Sequence, residues 1–200
     1  ELVNALEDPV DGTKLADFAS ARTVAIAIND KTRPVPHEYI LPVLVKKLIE
    51  IGISPDAIRF YIATGTHLPM RAEEYNKIVP KEIVQRFNIV SHDCDNHHNL
   101  IKIGVTKQGT PVTVNREYYE SELKIVVGNI EPHHFMGFSG GAKSASIGLC
   151  SRETINKNHA FLLNPASCVG TYETNPMRMD VEEIGDMIHV HLAFNVILNE

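Results

Sequence analysis

Cysteine is scarce and scattered in this chain: Cys94, Cys150 and Cys168 are odd in number, widely spaced and without a C-x-x-C pair. Neither a disulfide framework nor a thiolate zinc site is indicated, and reduced thiols are expected. Clustered positive charge is also missing. With a net charge of −6 and no run rich in lysine or arginine, the chain lacks the footprint that phosphate neutralisation needs, so nucleic acid is not an expected partner. No apolar stretch approaches the roughly 20 residues that cross a bilayer, and the amino end, ELVNALEDP, has neither a basic nor an apolar leader region. A cytoplasmic protein without a membrane partner is expected. The chain opens on Glu1 rather than methionine and stops on AFNVILNE, which reads as a strand just completed, so a trimmed piece of a longer protein is expected.

What is present points to one α/β domain over residues 1–200, long enough at 44% hydrophobic to bury a sizeable core. Short β-branched runs at 23–29, 58–64, 87–92, 123–129 and 194–199 read as buried strands. Between the first two, Ile40, Leu41, Leu44, Val45, Leu48 and Ile49 repeat at helical spacing, with Pro42 placed in the first turn and Gly52 as a C-cap. Strand, helix and strand in that order predict βαβ units: a mostly parallel, Rossmann-like sheet with helices on both faces. Further helices are expected at about 70–79, 81–86, 140–149, 152–161 and 177–188, with Ser139, Ser151 and Asn175 as caps. Glu182, Glu183 and Asp186 read as a solvated helix face.

Ligands of open α/β sheets bind beyond the carboxyl ends of the strands, so NDKTRP, ATGTHLP, SHDCDNHH and GNIEPHHFMGFSGGAKS should carry the chemistry. Most of the ten histidines fall in or just after those ends, which suggests proton transfer, metal binding or both. In ATGTH, Gly65 permits a tight turn, Thr64 and Thr66 offer hydroxyls, and His67 is aimed at the crevice. Arg33 suits a carboxylate or phosphate.

GFSGGAKS differs from the phosphate loop G-x-x-x-x-G-K-[ST] by Ala142. Eight residues, Asn129 to Met136, separate it from the preceding strand, and no Walker-B-like run is clear, which argues against nucleotide hydrolysis. Ser139, Gly140 and Gly141 at a helix start still form an anion site, and Lys143 one turn in either neutralises a phosphate or acts as a nucleophile.

Taken in order, DKTRPVP, ATGTH, NIEPHHFMGFSGGAKS and NKNHAF, with ten residues from His133 to Lys143 and sixteen more to His159, resemble the amino-terminal domain of the nickel-pincer lactate racemase family. The resemblance covers nearly the whole chain. It implies a cofactor-carrying α/β domain followed by a second domain, and a nickel-pincer nucleotide, a mononucleotide whose pyridinium ring holds nickel through two sulfur-containing arms and a ring carbon. By position, Lys143 carries the covalent link, His159 is a nickel ligand, His67 and His133 are the acid/base pair, and Arg33 holds the substrate carboxylate. The α-hydrogen of a 2-hydroxy acid then leaves as a hydride and returns to the opposite face, which explains a need for two histidines. His134 adjoins His133, and only the spacing to Lys143 favours the latter. Thr66, Ser139, Gly140 and Gly141 are expected against the cofactor, the last three on its phosphate. A 2-hydroxy acid and cofactor-maturation proteins are the expected partners.

Two other readings are carried alongside. In one, zinc held by His92, His97 and His98 activates water for hydrolysis, with Asp93, Cys94 and Asp95 as further candidate ligands. In the other, the glycine loop and Arg33 bind an anion or nucleotide without catalysis.

Overall fold

The apolar runs pair into a parallel sheet. In the computed structural model, which describes residues 1–198, the elements in chain order are α1 (Leu2–Glu7), β1 (Val24–Asn29), α2 (His37–Glu50), β2 (Ile58–Ala63), α3 (Lys81–Arg86), β3 (Asn88–Ser91), β4 (Leu100–Val105), β5 (Pro111–Asn115), α4 (Arg116–Glu120), β6 (Leu123–Asn129), β7 (Pro132–His133), β8 (Gly137–Phe138), α5 (Lys143–Ser146), α6 (Arg152–His159), α7 (Pro176–Ile188) and β9 (Leu192–Val196). Short 3₁₀ turns fill several connections. The main sheet runs β3-β2-β1-β6-β9, and each neighbouring pair in it is parallel. The chain builds outward from β1 through β2 to β3, then returns to the other side of β1 with β6 and β9. That reversal opens a crevice between the carboxyl ends of β1 and β6, where α/β sheets bind their ligands.

Side-chain alternation along β1 decides what packs on each face. Val24, Ile26 and Ile28 join Ile40, Leu41, Leu44 and Leu48 of α2 in one core. Ala25 and Ala27 point the other way, into a core with Ala145 of α5 and Val181, Ile184 and Ile188 of α7. Methyl side chains on that face let α5 approach closely, which brings the segment after β8 over the carboxyl ends of the strands. No helix among the described residues is long and apolar enough to cross a membrane.

Several boundaries differ from the sequence reading. The first crossover helix begins at His37, so Pro42 lies in its second turn rather than its first. Its missing N–H leaves only the carbonyl of exposed Glu38 without its usual partner. Gly52, at φ +101°, ends the helix as expected: its N–H donates to Ile49 and that of Ile53 to Leu48, both at 3.0 Å, the paired bonds of a Schellman motif. The helix expected over 70–79 is a 3₁₀ turn, Ala72–Lys77. That expected over 140–149 contracts to Lys143–Ser146, because Gly140 and Gly141 adopt φ +76° and +58°, outside the right-handed helical region. The β4–β5 hairpin was not anticipated, since Gly104 and Pro111 interrupt its apolar pattern. The strand expected over 194–199 spans Leu192–Val196, and Asn199 lies outside the described residues.

Candidate active site

The turn after β1 is organised by Asp30, a carboxylate only 4% exposed. It accepts from the Thr32 amide at 3.0 Å and the Thr32 hydroxyl at 2.6 Å, while its own carbonyl accepts the Arg33 amide at 3.2 Å. Its other oxygen accepts from His67 Nδ1 at 2.7 Å. With the Nδ1 proton committed to a buried carboxylate, His67 presents a bare Nε2 to the cleft, the tautomer a general base requires. Arg33 is half-exposed, and its nearest carboxylate is Glu131, 3.8 Å away, rather than Asp30 or Glu38. At that separation the guanidinium retains its donors for another anion.

The turn after β2 is fastened from below. The Thr64 hydroxyl donates to the His92 carbonyl at 2.7 Å, so of the two threonines expected to offer hydroxyls only Thr66 faces the cleft uncommitted among the described residues. The Gly65 amide donates to Gly148 at 3.0 Å. Gly148 lies against Ala63 and the Ser144 carbonyl, where a side chain has no room. The ATGTH turn and the lysine-bearing segment are thereby locked together.

After β6 the chain forms the β7–β8 hairpin. His133 Nδ1 accepts from the Phe135 and Met136 amides, each at 3.3 Å, so the neutral ring carries its proton on Nε2 and is a donor there. Burial, then the positive charges of Lys143 and Arg33, push His133 down to about 4, keeping it neutral at physiological pH. His133 lines the cleft and His134 does not; the latter is exposed.

Ser139 does not cap a helix. Its amide donates to the Glu131 carbonyl at 2.8 Å and its hydroxyl to the Asn129 carbonyl at 2.8 Å. It is a staple between the end of β6 and the glycine loop, and its amide is not free for an anion. Four residues of α5 also make too short a dipole for a strong N-terminal site. Ala142, the departure from the phosphate-loop pattern, packs against Gly185 of α7, where an added Cβ would collide with its methyl group. Gly185→Ala should therefore lower stability by about 1–3 kcal/mol, measured by urea denaturation, and an unchanged midpoint would show that this contact yields freely.

Lys143 is largely enclosed. Burial, then the guanidinium groups of Arg33 and Arg178, push its amine down to about 7, against an opposing pull from Glu131. His159 closes α6, and its Nδ1 donates to the Ile155 carbonyl at 2.8 Å. That bond directs a neutral Nε2 lone pair outward, and burial, joined by the charge of Lys143, lowers the ring's pKa against the opposing pull of the Ile155 bond, a state suited to a metal.

These groups share one cleft of about 830 Å³, its open mouth included. Arg33, Thr66, His67, His133, Ser139, Gly140, Lys143 and His159 line it, and Gly141 does not. Asp30 was missed as a partner of His67, although an aspartate two residues before a threonine at a strand end is a turn signal. Arg178, under the glycine loop, carried no local signal.

The zinc reading fails on geometry. His92 is buried with Nε2 engaged by the Cys150 carbonyl at 2.9 Å, whereas His97 and His98 are exposed. Among the described residues the group with converging ligand atoms is Asp93, Cys94 and Asp95, without a histidine. Asp95 is bound bidentately by Arg152 at 2.8 Å, and burial raises the Cys94 thiol away from its ligating form. Proximity in sequence does not become convergence in space here.

Over residues 1–170 the chain matches the lactate racemase N-terminal domain family. The lactate racemase of Lactiplantibacillus plantarum is 34% identical over 200 residues, covering 98% of this chain and 47% of that protein. That of Thermoanaerobacterium thermosaccharolyticum is 32% identical over 198 residues, covering 98% and 46%. The lactate racemase apoprotein structure from the latter organism superposes with a TM-score of 0.92 at 33% identity, over 99% of this chain and 48% of that one. A Thermotoga maritima protein has the same fold, with a TM-score of 0.78 at 23% identity over 100% of this chain and 51% of that one. The chain spans about half the length of the curated relatives it matches.

Proposed function

Since the chain belongs to the lactate racemase N-terminal domain family, we propose that it is the cofactor-carrying part of an enzyme that racemises or epimerises a 2-hydroxy acid such as lactate. The observation that carries this reading is the convergence, in one cleft, of a low-pKa lysine with two histidines held in opposite tautomers.

The residues present fit a nickel-pincer nucleotide. Lys143 offers an amine for covalent attachment, His159 offers Nε2 to the nickel, and the glycines around the cleft leave room for a mononucleotide. When bound, that group supplies the hydride acceptor the reaction needs. The protein does the rest. Arg33 holds the substrate carboxylate, and Thr66 provides a further donor at the cleft wall. His67 Nε2 takes the hydroxyl proton, with Asp30 stabilising the imidazolium that forms. His133, donating from Nε2, polarises the oxygen. For His133 to act as the base in turn, it has to release the Phe135 and Met136 amides, so the two histidines are not equivalent at rest.

A second domain closing over the cleft, cofactor-maturation proteins as partners and a cytoplasmic setting belong to the same reading. The free buried thiols of Cys94 and Cys150 are consistent with the last. Protein from a host that builds the cofactor should show a mass adduct on Lys143, bound nickel and loss of optical activity from a single lactate enantiomer. An adduct-free, nickel-free protein from that host would sink the proposal and leave a non-catalytic anion-binding module.

A further inference from the structure

Arg178 is a charged side chain in a place that disfavours charge. It is 2% exposed, and its Nε has no partner among the described residues. A guanidinium taken out of water is costly unless its remaining donors are well used. Here they are aimed at the glycine loop: Nη1 donates to the Phe138 carbonyl at 3.2 Å, and Nη1 and Nη2 both reach the Gly140 carbonyl at 3.3 Å. The same Gly140 carbonyl lies 3.4 Å from the Lys143 amide. One oxygen thus joins the arginine to the turn that presents the lysine. Nη2 also occupies the space beside Gly141, 2.6 Å from where a Cβ would stand, which explains why that position is glycine and why it does not face the cleft.

The outer side of the guanidinium is covered. Tyr172 stacks on it at 4.9 Å, and Glu182, expected on a solvated face, is its carboxylate partner. The base of this arrangement is rigid, because Asn175 caps α7 by accepting the Arg178 amide at 3.1 Å. By contrast α5 is four residues long and makes too few helical bonds to hold its own orientation. Two left-handed glycines precede it.

We infer that Arg178 is a positioning residue for Lys143: from α7 it grips the Gly140 carbonyl and the glycine turn, and so sets where the amine stands in the cleft. The inference rests on the reading above, in which Lys143 is the reactive lysine. The charged and titratable groups around that amine are Arg33 after β1, Glu131 after β6, His133 on β7, His159 on α6 and Arg178 on α7.

A cofactor-independent probe tests it: acetylation of the full chain by acetic anhydride across pH, with Lys143 and the exposed Lys46 followed by peptide mass spectrometry. Wild-type Lys143 should be half-reactive at about pH 7. Arg178→Gln should raise that midpoint by about one unit and speed amide exchange over residues 140–143 at least ~10-fold. Arg178→Lys keeps the charge and loses the fork, so exchange should quicken with little movement of the midpoint. A folded Arg178→Lys variant with wild-type exchange overturns the inference, as does Arg178→Gln with a wild-type midpoint; the lysine variant decides alone where the glutamine one does not fold. A wild type that meets these expectations yet racemises nothing sinks the functional reading and leaves the positioning role standing. An active racemase whose variants leave Lys143 unaltered does the reverse.

Discussion

Lys143→Ala, made in a cofactor-building host, should carry no adduct and racemise at least ~10³-fold more slowly than the wild type, since the covalent anchor is lost. Lys143→Arg should fail equally, because it keeps a positive charge but offers no nucleophile. This separates attachment from mere phosphate neutralisation, the two roles open to a lysine after a glycine loop. The local chemistry favours attachment: burial, Arg33 and Arg178 together hold the amine at about 7. The sign follows directly. Depressing an amine's pKa populates its neutral form at lower pH, so attachment should accelerate as pH rises through about 7 and level off above it. Lys143→Ala should remain folded, because removing a group whose charged form is disfavoured by burial relieves a cost. Circular dichroism and intact mass on the same samples check both points. An adduct of unchanged mass on Lys143→Ala would refute the anchor.

Asp30→Asn should lower kcat by about 10²–10⁴-fold with a much smaller change in KM. Asparagine preserves the shape of the turn, and its oxygen still accepts from the Thr32 amide and hydroxyl. Its NH₂ group, however, meets His67 Nδ1 as a donor. The imidazole must then carry its proton on Nε2, so the atom facing the substrate becomes a donor and the base is lost. Raising the pH should not restore the rate, because the defect is the tautomer rather than the degree of ionisation. His67→Gln should cost a similar amount, and the double variant little more, since the two residues act as one unit. A rate within about two-fold of wild type for Asp30→Asn would show that the base is oriented by something else.

Much of the fold was legible because its signals are local. The runs of β1, β2 and β6 are apolar enough to be largely buried, that of β3 forms an edge strand without a buried residue, and Gly52, Ser151 and Asn175 mark helix ends through their own backbone or side-chain bonds. The strand-end rule then collected Arg33, Thr66, His67, His133 and Lys143 into one candidate site, the family resemblance added His159, and the cleft holds all six. The helix expected over 140–149 shrank to Lys143–Ser146 because apolar spacing is silent about φ. Gly140 and Gly141 satisfy the composition of a helix start while adopting its mirror-image conformation.

By itself, the sequence determined the strand–helix alternation and the placement of Arg33, His67, His133 and Lys143 after the carboxyl ends of strands, because each depends on neighbours within a few residues. Only the tertiary structure decided their chemical states. Asp30 chooses the His67 tautomer across 37 positions of sequence, Gly185 accounts for Ala142, and Arg178 reaches the Gly140 carbonyl across 38. The same packing dispersed the histidines of residues 91–98 that looked like a metal site. A tautomer, a depressed pKa and a free lone pair are set by what lies within a few ångströms, and the fold alone determines which residues those are.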